Sequence, residues 1–203
     1  MFSLSEEEGA LLVRIAREAV SKYLKERVII EPPRGLPDKL YEKRGVFVTI
    51  KRYPSMELRG CIGYPEPILP LINATIRAAL SSALEDPRFY PLSAEELEHV
   101  VFEVSVLTPP QLIKVSKPTD YPKQVKVGVD GLIVEKGIYR GLLLPQVAVE
   151  YGWSEEEFLS QCCIKAWLPP DAWLEPDTRI YKFQAEIFEE EHPGGEIKRK
   201  ALS

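Results

Sequence analysis

The stretch Leu58-Arg59-Gly60-Cys61-Ile62-Gly63, called the hexapeptide below, places a guanidinium, a thiol and two glycines in a segment whose flanks are typical of a β-strand. Side chains alternate between the two faces of a strand. The alternation predicts that Leu58 and Ile62 pack into a hydrophobic core. It also predicts that Arg59 and Cys61 lie on the opposite face of the same sheet.

Outside the hexapeptide, the hydrophobic pattern predicts two successive sets of elements. The first set comprises strands over 45–50 and 58–62, a helix over 69–84 and a strand over 100–107. The second set comprises strands over 131–135 and 139–144, a helix that begins at the capping box Ser154-x-x-Glu157, and a strand over 181–188. Both sets have the order strand, strand, helix, strand, which indicates an α+β fold.

The two sets align with each other, which predicts an internal duplication of 45–108 and 131–189. Two short segments occupy the same place in each copy, namely Arg59-Gly60 with Arg140-Gly141, and Phe102-Glu103-Val104 with Phe183-Gln184-Ala185. The alternative is chance, because hairpin, helix and strand often follow one another in α+β proteins.

A helix is predicted over 6–25, because the capping box Ser5-x-x-Glu8 precedes apolar residues at helical spacing. The proline-rich stretch 31–37 cannot continue a helix and is predicted to be a loop. Together these patterns predict an α+β fold with antiparallel sheets flanked by helices, plus the N-terminal helix. We expect one domain over 1–203.

The composition argues against several classes of protein. Hydrophobic residues make up 45% of the chain and charged residues 28%, which is typical of globular proteins. The net charge of -5 argues against a nucleic-acid binder, which normally presents a basic surface to phosphates. No apolar run is long enough to suggest a membrane span. Methionine is scarce, proline is frequent and charged residues dominate the surface, as in proteins from hot environments.

The cysteines and histidines predict a cytosolic protein without a metal or cofactor. Three cysteines are an odd number, which suits a reducing compartment better than a disulfide framework. Two histidines and no Cys-x-x-Cys pair make a structural zinc site unexpected. Cys162 and Cys163 are consecutive on a predicted helix, so we expect a buried Cys163 with a partly exposed neighbour.

Several motifs in order resemble the AMMECR-domain family (Alport syndrome, mental retardation, midface hypoplasia and elliptocytosis chromosomal-region protein). The similarity runs from the first helix to Glu189. Besides the hexapeptide, the matching pieces are Asp86-Pro87-Arg88-Phe89, Glu103-Val104-Ser105-Val106-Leu107, Gly131-Leu132-Ile133-Val134, Leu143-Leu144-Pro145-Gln146-Val147-Ala148, and the segment 158–169. In that last segment Trp167 stands where the family usually has glycine, which puts the local turn in question.

The resemblance implies a fold and a set of partners, but no established reaction. It implies antiparallel sheets built from two related βββααβ-like units. It also implies a genomic association, in some members a fusion, with a Memo-type protein homologous to extradiol dioxygenases, and an association with radical-SAM proteins. These genomic associations suggest that the protein acts within a larger enzymatic system.

Cys61 is the sharpest candidate for chemistry, because Arg59 lies two positions away on the same strand face and would favour a thiolate. Glu103 and Ser105 share one face of the strand over 100–107. If the two strands are neighbours, these four side chains form one polar patch. The alternative is structural: Cys61 is a small buried apolar residue, Arg59 pairs with Glu103, and Gly60 and Gly63 allow close packing, as do other strand glycines.

The segment Asp86-Pro87-Arg88-Phe89 is predicted to form a turn after a helix, because Pro87 blocks continuation and Asp86 can accept bonds from nearby amides. Arg88 would bind an anionic group and Phe89 would line a pocket. The alternative is a structural turn that Phe89 anchors, with Arg88 paired to an acid.

These residues support three hypotheses on function. The leading one is an accessory component that binds a small ligand or a protein partner at a cleft lined by the hexapeptide, because the chain lacks a complete set of acid, base and nucleophile. The second is an enzyme that uses Cys61 as a reactive thiol. The third, nucleic-acid binding, predicts a basic patch. The acidic run 186–191 and the basic run 198–200 are expected to form a solvated tail.

Overall fold

The structure is a computed structural model that describes residues 3–201. Its helices and strands follow the chain in the order α1 (Glu6–Glu26), β1 (Gly45–Arg52), β2 (Leu58–Tyr64), α2 (Leu71–Leu84), β3 (Val100–Leu107), β4 (Gln111–Leu112), α3 (Tyr121–Gln124), β5 (Gly131–Lys136), β6 (Tyr139–Leu143), α4 (Pro145–Tyr151), α5 (Glu155–Lys165), β7 (Arg179–Phe183), β8 (Ala185–Glu190) and β9 (Ile197–Arg199). The predicted α+β class with antiparallel sheets and flanking helices is confirmed. None of the helices described is long and apolar enough to cross a membrane.

The chain divides into two compact units. The first unit contains residues 3–107 and 186–200, and the second contains 108–185 with residue 201. The sheet of the first unit has the strand order β2-β1-β3-β8-β9, and the sheet of the second unit has the order β4-β7-β5-β6.

The core of the first unit lies between its sheet and the helices α1 and α2. The predicted capping box starts α1: the Ser5 hydroxyl accepts from the Glu8 amide at 3.1 Å, and the Glu8 carboxylate accepts from the Ser5 amide at 2.7 Å. Apolar residues at helical spacing are then buried against the strands. The core includes Leu12, Ile15, Ala16, Ala19, Val46, Val48, Ile50, Leu71, Ile72, Phe102, Val104 and Val106.

The placement predicted for Leu58 is wrong, because a β-bulge interrupts β2. Ile50 faces Gly60 across the β1–β2 pair, but the next residue, Lys51, faces Leu58, so Arg59 is an extra residue. An extra residue reverses the alternation of side chains beyond it. Leu58 therefore lies on the face of Lys51 and is 38% exposed, whereas Ile62 faces Val48 and is half-buried.

The core of the second unit lies between its sheet and the helix α5. The predicted capping box at Ser154 starts this helix. Cys162 and Cys163 are both fully buried, so the prediction of a partly exposed neighbour is wrong. The residues around them are apolar and include Leu132, Val134, Ala148, Phe158, Leu159, Ala172 and Ile180.

The predicted strand over 181–188 is in fact two strands in different sheets. β7 ends at Phe183 and β8 begins at Ala185, and between them Gln184 exchanges two hydrogen bonds of 2.8 Å with Thr108. The expected solvated tail is also wrong. The acidic run forms part of β8 and pairs with β9, where Glu189 faces Lys198. Opposite charges on neighbouring strands explain why these two runs associate.

The two units share one arrangement, which supports the predicted duplication. In each sheet the first strand of the hairpin is an inner strand next to the edge strand: β1 lies between β2 and β3, and β5 lies between β6 and β7. A helix side chain also reaches the hairpin in each unit. The Ser82 hydroxyl accepts from the Ile62 amide at 2.8 Å and donates to the Val48 carbonyl at 2.7 Å, and Cys162 Sγ lies 3.6 Å from the Leu132 carbonyl.

The glycines of the two Arg-Gly pairs occupy equivalent positions under these helices. A Cβ on Gly60 would lie 2.2 Å from the Ser82 carbonyl oxygen, and a Cβ on Gly141 would lie 2.7 Å from that of Cys162. Each glycine therefore allows a helix to approach the strand closely.

One part of the predicted alignment is wrong. The row that contains Gly60 continues through Ile50 to Phe102, and the row that contains Gly141 continues through Val134 to Ile180. The counterpart of Phe102 is therefore Ile180 and not Phe183, a shift of three residues. The duplication itself stays a prediction.

Substitution of Gly60 tests the close approach of α2 to β2. Gly60→Ala should lower the free energy of unfolding by at least about 2 kcal/mol, because the new methyl group overlaps a backbone carbonyl that cannot move independently. The measurement is chemical denaturation followed by circular dichroism.

Gly35→Ala is the matched control. Gly35 has a φ of 74° and open space around its Cα, so an alanine there costs only the left-handed backbone, about 1 kcal/mol. Equal losses in the two variants would show that the helix does not press on β2 at Gly60.

Candidate functional site

Asp86 closes the outer edge of β2 at the centre of the hexapeptide. It lies two residues beyond α2, and its carboxylate, only 2% exposed, accepts from the Cys61 amide at 2.8 Å. The same carboxylate accepts from Arg88 at its amide (3.1 Å), Nε (3.0 Å) and Nη2 (2.7 Å). Arg88 Nη2 also lies 3.3 Å from the Cys61 carbonyl oxygen, so the turn binds both outward backbone groups of Cys61.

The Asp86 carboxylate is ionised in this arrangement. Burial alone would raise its pKa, but hydrogen bonds from the Arg88 side chain and from the Cys61 and Arg88 amides lower the pKa to about 2. The Asp86 carboxylate in turn raises the pKa of Arg88. The pair is therefore charged on both sides at any ordinary pH.

Two guanidinium groups lie near the ring of Phe89. The Cζ atoms of Arg59 and Arg88 are 5.8 Å and 5.6 Å from the centroid of its ring, within the range of cation–π interaction. Arg59 is 5% exposed and binds Glu96 through Nε at 2.8 Å and Nη2 at 2.9 Å. The bond from Arg59 lowers the pKa of Glu96, which also accepts from the Ser93 amide at 3.0 Å. Arg59, the extra residue of the bulge, therefore binds the segment 93–96 through Glu96.

The Cys61 thiol is half-buried and is not activated. Burial raises its pKa, and this effect outweighs the Thr49 hydroxyl, which donates to Sγ at 3.3 Å, and the charge of Arg88. Arg59, the residue that the sequence suggested as the activator, is engaged by Glu96 instead.

The predicted patch of four side chains does not form, because β2 and β3 are not neighbours. β1 lies between them: Cys61 faces Thr49, and Thr49 faces Glu103. Strands lie about 4.8 Å apart, so the backbones of Cys61 and Glu103 are about 10 Å apart. Ser105 lies two residues further along β3, opposite Phe47; its hydroxyl is fully buried and has no hydrogen-bond partner among residues 3–201.

Glu103 pairs with lysines and not with Arg59. Lys51 Nζ is 2.7 Å from Glu103 and 2.5 Å from Glu189, and Lys200 Nζ is 3.4 Å from Glu103. Burial alone would lower the pKa of Lys51, but the two carboxylates raise it well above its usual range. The alternative of an Arg59–Glu103 ion pair is therefore wrong, although both residues do form ion pairs with other partners.

The structure brings together one group of the predicted site residues. Arg59, Cys61, Asp86, Arg88 and Phe89 are linked by the contacts above. Gly60 faces α2, and a Cβ on Gly63 would overlap the Phe47 ring, so both glycines serve packing. In the range 3–201, no group of three or more His, Cys, Asp or Glu side chains is placed to hold a metal ion.

Sequence reasoning missed Thr49 and Glu96. Thr49 on β1 faces Cys61 on β2, and the register of this strand pair cannot be read from the sequence. Glu96 follows Ser93 at capping-box spacing, which was an available signal for a carboxylate turned towards a backbone amide.

Comparison with known proteins agrees with the motifs. The model of the AMMECR1 family matches residues 13–188. The chain belongs to the AMMECR1 family. Protein PH0010 of Pyrococcus horikoshii is 60% identical over 205 residues, covering 100% of this chain and 99% of the relative. Protein MJ0810 of Methanocaldococcus jannaschii is 54% identical and covers 98% of both chains.

The fold of this AMMECR1 protein is also found in a solved structure. The crystal structure of the uncharacterized protein PH0010 has a TM-score of 0.95 and covers 98% of this chain and 100% of its own. Thermophilic archaea are the source of these relatives, as the composition predicted.

The pH dependence of alkylation tests the state of Cys61. We expect its rate of labelling to rise with a midpoint above the ordinary thiol pKa of about 8.5, because burial disfavours the thiolate. Thr49→Val removes the hydroxyl that donates to the sulfur, so it should move the midpoint higher still. The rate is measured by mass spectrometry of peptides from the folded protein.

Cys162 and Cys163 provide the internal control, because both are fully buried and should be labelled only after unfolding. A midpoint below that of a free thiol at Cys61 would contradict the assignment and would favour an activated nucleophile.

Proposed function

We propose that this AMMECR1 protein is a non-catalytic accessory component that binds a partner at the surface formed by the hexapeptide and the turn 86–89. The observation that carries the proposal is the state of Arg88. Asp86 fixes its Nε and Nη2, yet 51% of its side chain is exposed, and its Nη1 has no partner within the described chain. A guanidinium held in this way is preorganised to bind a carboxylate or phosphate.

Exposed apolar side chains in the hexapeptide and directly after the turn 86–89 suit a protein partner better than a small anion alone. Tyr90 is 90% exposed and Leu58, turned outward by the bulge, is 38% exposed. The ring of Phe89 lies within cation–π distance of the Arg88 guanidinium. A central arginine with aromatic neighbours is the usual composition of a protein-binding hot spot. The proposed ligand is therefore an acidic side chain on another protein.

The partner class is the one that the family resemblance implies, a Memo-type or radical-SAM protein. The three free cysteines suit the same reducing compartment as such partners. We do not place nucleic acid or a membrane among the partners, because the net charge is -5.

The alternative function, an enzyme with Cys61 as its nucleophile, has less support. A nucleophilic thiol needs a lowered pKa and a base that orients it. Here the pKa is raised, and the hydroxyl of Thr49 is the group that contacts the sulfur.

Substitution of Arg88 and Tyr90 tests the proposal. With a purified Memo-type or radical-SAM protein from the same organism, Arg88→Ala and Tyr90→Ala should each weaken binding about tenfold or more, as truncation of hot-spot residues does. Arg34→Ala, in an exposed loop, is the control and should bind normally. Isothermal titration calorimetry gives the affinities.

Arg88→Ala also removes the partner of a buried carboxylate, so its thermal stability is measured beside its affinity. Tyr90→Ala leaves the turn intact and separates binding from folding. Wild-type protein that binds neither partner class, or a Tyr90→Ala variant that binds as wild type, would contradict the proposal.

A further inference from the structure

A cleft of about 480 Å³ lies in the first unit, and its lining includes no residue of the hexapeptide or of the turn 86–89. Three parts of this unit form the cleft: one face of α1, residues 97–98 and the turn 193–194. Small-molecule sites in proteins have volumes of about 300 to 1,000 Å³. The cleft is therefore large enough for a small ligand, and its charged groups indicate which kind.

Arg17 is the fixed part of this cleft. Its Nε and Nη2 donate to the Glu190 carboxylate at 2.5 Å and 2.6 Å. Nη2 also donates to the Val100 carbonyl at 2.6 Å, and Nη1 donates to the Leu97 carbonyl at 2.9 Å. Glu190 is 2% exposed and accepts from the Phe102 amide as well, so the guanidinium cannot turn. A guanidinium has five N–H groups, and one of those on Nη1 has no partner among residues 3–201.

Ser21 and Lys25 continue a row of donors along α1. They follow Arg17 at spacings of four residues, so the three side chains share one face of the helix, with neighbouring Cβ atoms about 6 Å apart. Within the described chain, the Ser21 hydroxyl and the Lys25 ammonium have no hydrogen bond or ion pair. Three donors in a row, two of them cationic, attract an anionic group such as a carboxylate.

Glu98 brings a negative charge to the same cleft from a different part of the chain. It lies in the 3₁₀ turn Glu95–His99, and its side chain is exposed. In the part of the chain that the structure describes, Glu98 forms no ion pair, either with Lys25 or with any other residue. Two free charges of opposite sign therefore line one cleft without neutralising each other. Pro193 adds a half-buried apolar surface to the lining.

We propose that this cleft binds a small zwitterion of the size of a dipeptide. The carboxylate of the ligand accepts hydrogen bonds from Arg17, Ser21 and Lys25, and its ammonium group pairs with Glu98. An apolar side chain of the ligand packs against Pro193. This site goes beyond the partner surface at Arg88 and shares no residue with it.

Glu98 is the reason to propose a zwitterion and not an anion alone. A phosphate or a nucleotide would place further negative charge near the Glu98 carboxylate, and like charges repel. A ligand that is only cationic would be repelled by Lys25 and would leave the donors of α1 unused. A ligand with both charges matches both sides of the cleft, and such complementarity favours it over either single ion.

Isothermal titration calorimetry of the full chain with the dipeptide alanyl-alanine tests the site. Wild type should bind the dipeptide with a Kd of about 1 mM or lower. Lys25→Met and Glu98→Gln should each weaken binding about fivefold or more, because each removes the partner of one ligand charge. N-acetyl-alanyl-alanine lacks the ammonium group and alanyl-alanine amide lacks the carboxylate, so both should bind more weakly than the free dipeptide.

Lys22→Met and Glu95→Gln are the matched controls, because they remove the same charges from α1 and from the same 3₁₀ turn. Neither residue lines the cleft, so both variants should bind as wild type. Thermal unfolding checks that all four variants are folded.

Three results would overturn the proposal: no binding of alanyl-alanine to wild type, binding of inorganic phosphate or of the acetylated dipeptide as tight as that of the free dipeptide, or equal weakening in the control variants. Arg88→Ala should bind the dipeptide as wild type does. The outcome for this cleft is therefore independent of the outcome for the partner surface at Arg88.

Discussion

The hydrogen bond from the Cys61 amide to the Asp86 carboxylate is the contact on which the proposed binding surface of the first unit depends. It joins an edge strand to the turn that follows α2, and it lets one carboxylate serve four donors. Because Asp86 is fixed, Arg88 is fixed with half of its side chain exposed. This backbone hydrogen bond, and not the Cys61 thiol or the Arg59 guanidinium, therefore joins the hexapeptide to the turn 86–89.

The hexapeptide and the turn 86–89 contain residue types that catalytic sites use, but their charged side chains are paired in the structure. A thiol, two arginines and two acids lie within a short distance of one another. Each charge is already matched, however: Arg59 by Glu96 and Arg88 by Asp86. The charge of Arg88 still lowers the pKa of Cys61, but burial of the thiol raises this pKa by more. The groups that could do chemistry are held in structural contacts, and the binding surface that we propose uses the exposed part of Arg88.

The sequence predicts the element order well, because capping boxes and hydrophobic periodicity are local signals. It fails where the outcome depends on pairing between distant strands. The bulge at Arg59 reverses the placement of Leu58, and β1 separates Cys61 from Glu103. The loss of alternation at a bulge cannot be read from spacing alone. In the second unit, the departure of Trp167 from the usual glycine was visible in the sequence, but its exposure was not.

Hydrogen exchange at the Cys61 amide, measured by NMR in wild type and in Asp86→Ala, tests the central claim most directly. The Ile62 amide is bound by Ser82 and serves as the reference within the same strand. The account predicts that Cys61 is protected in wild type and exchanges much faster in Asp86→Ala, while Ile62 stays protected. Unchanged exchange at Cys61 in the variant would contradict it, because the edge of β2 would then be closed by something other than Asp86.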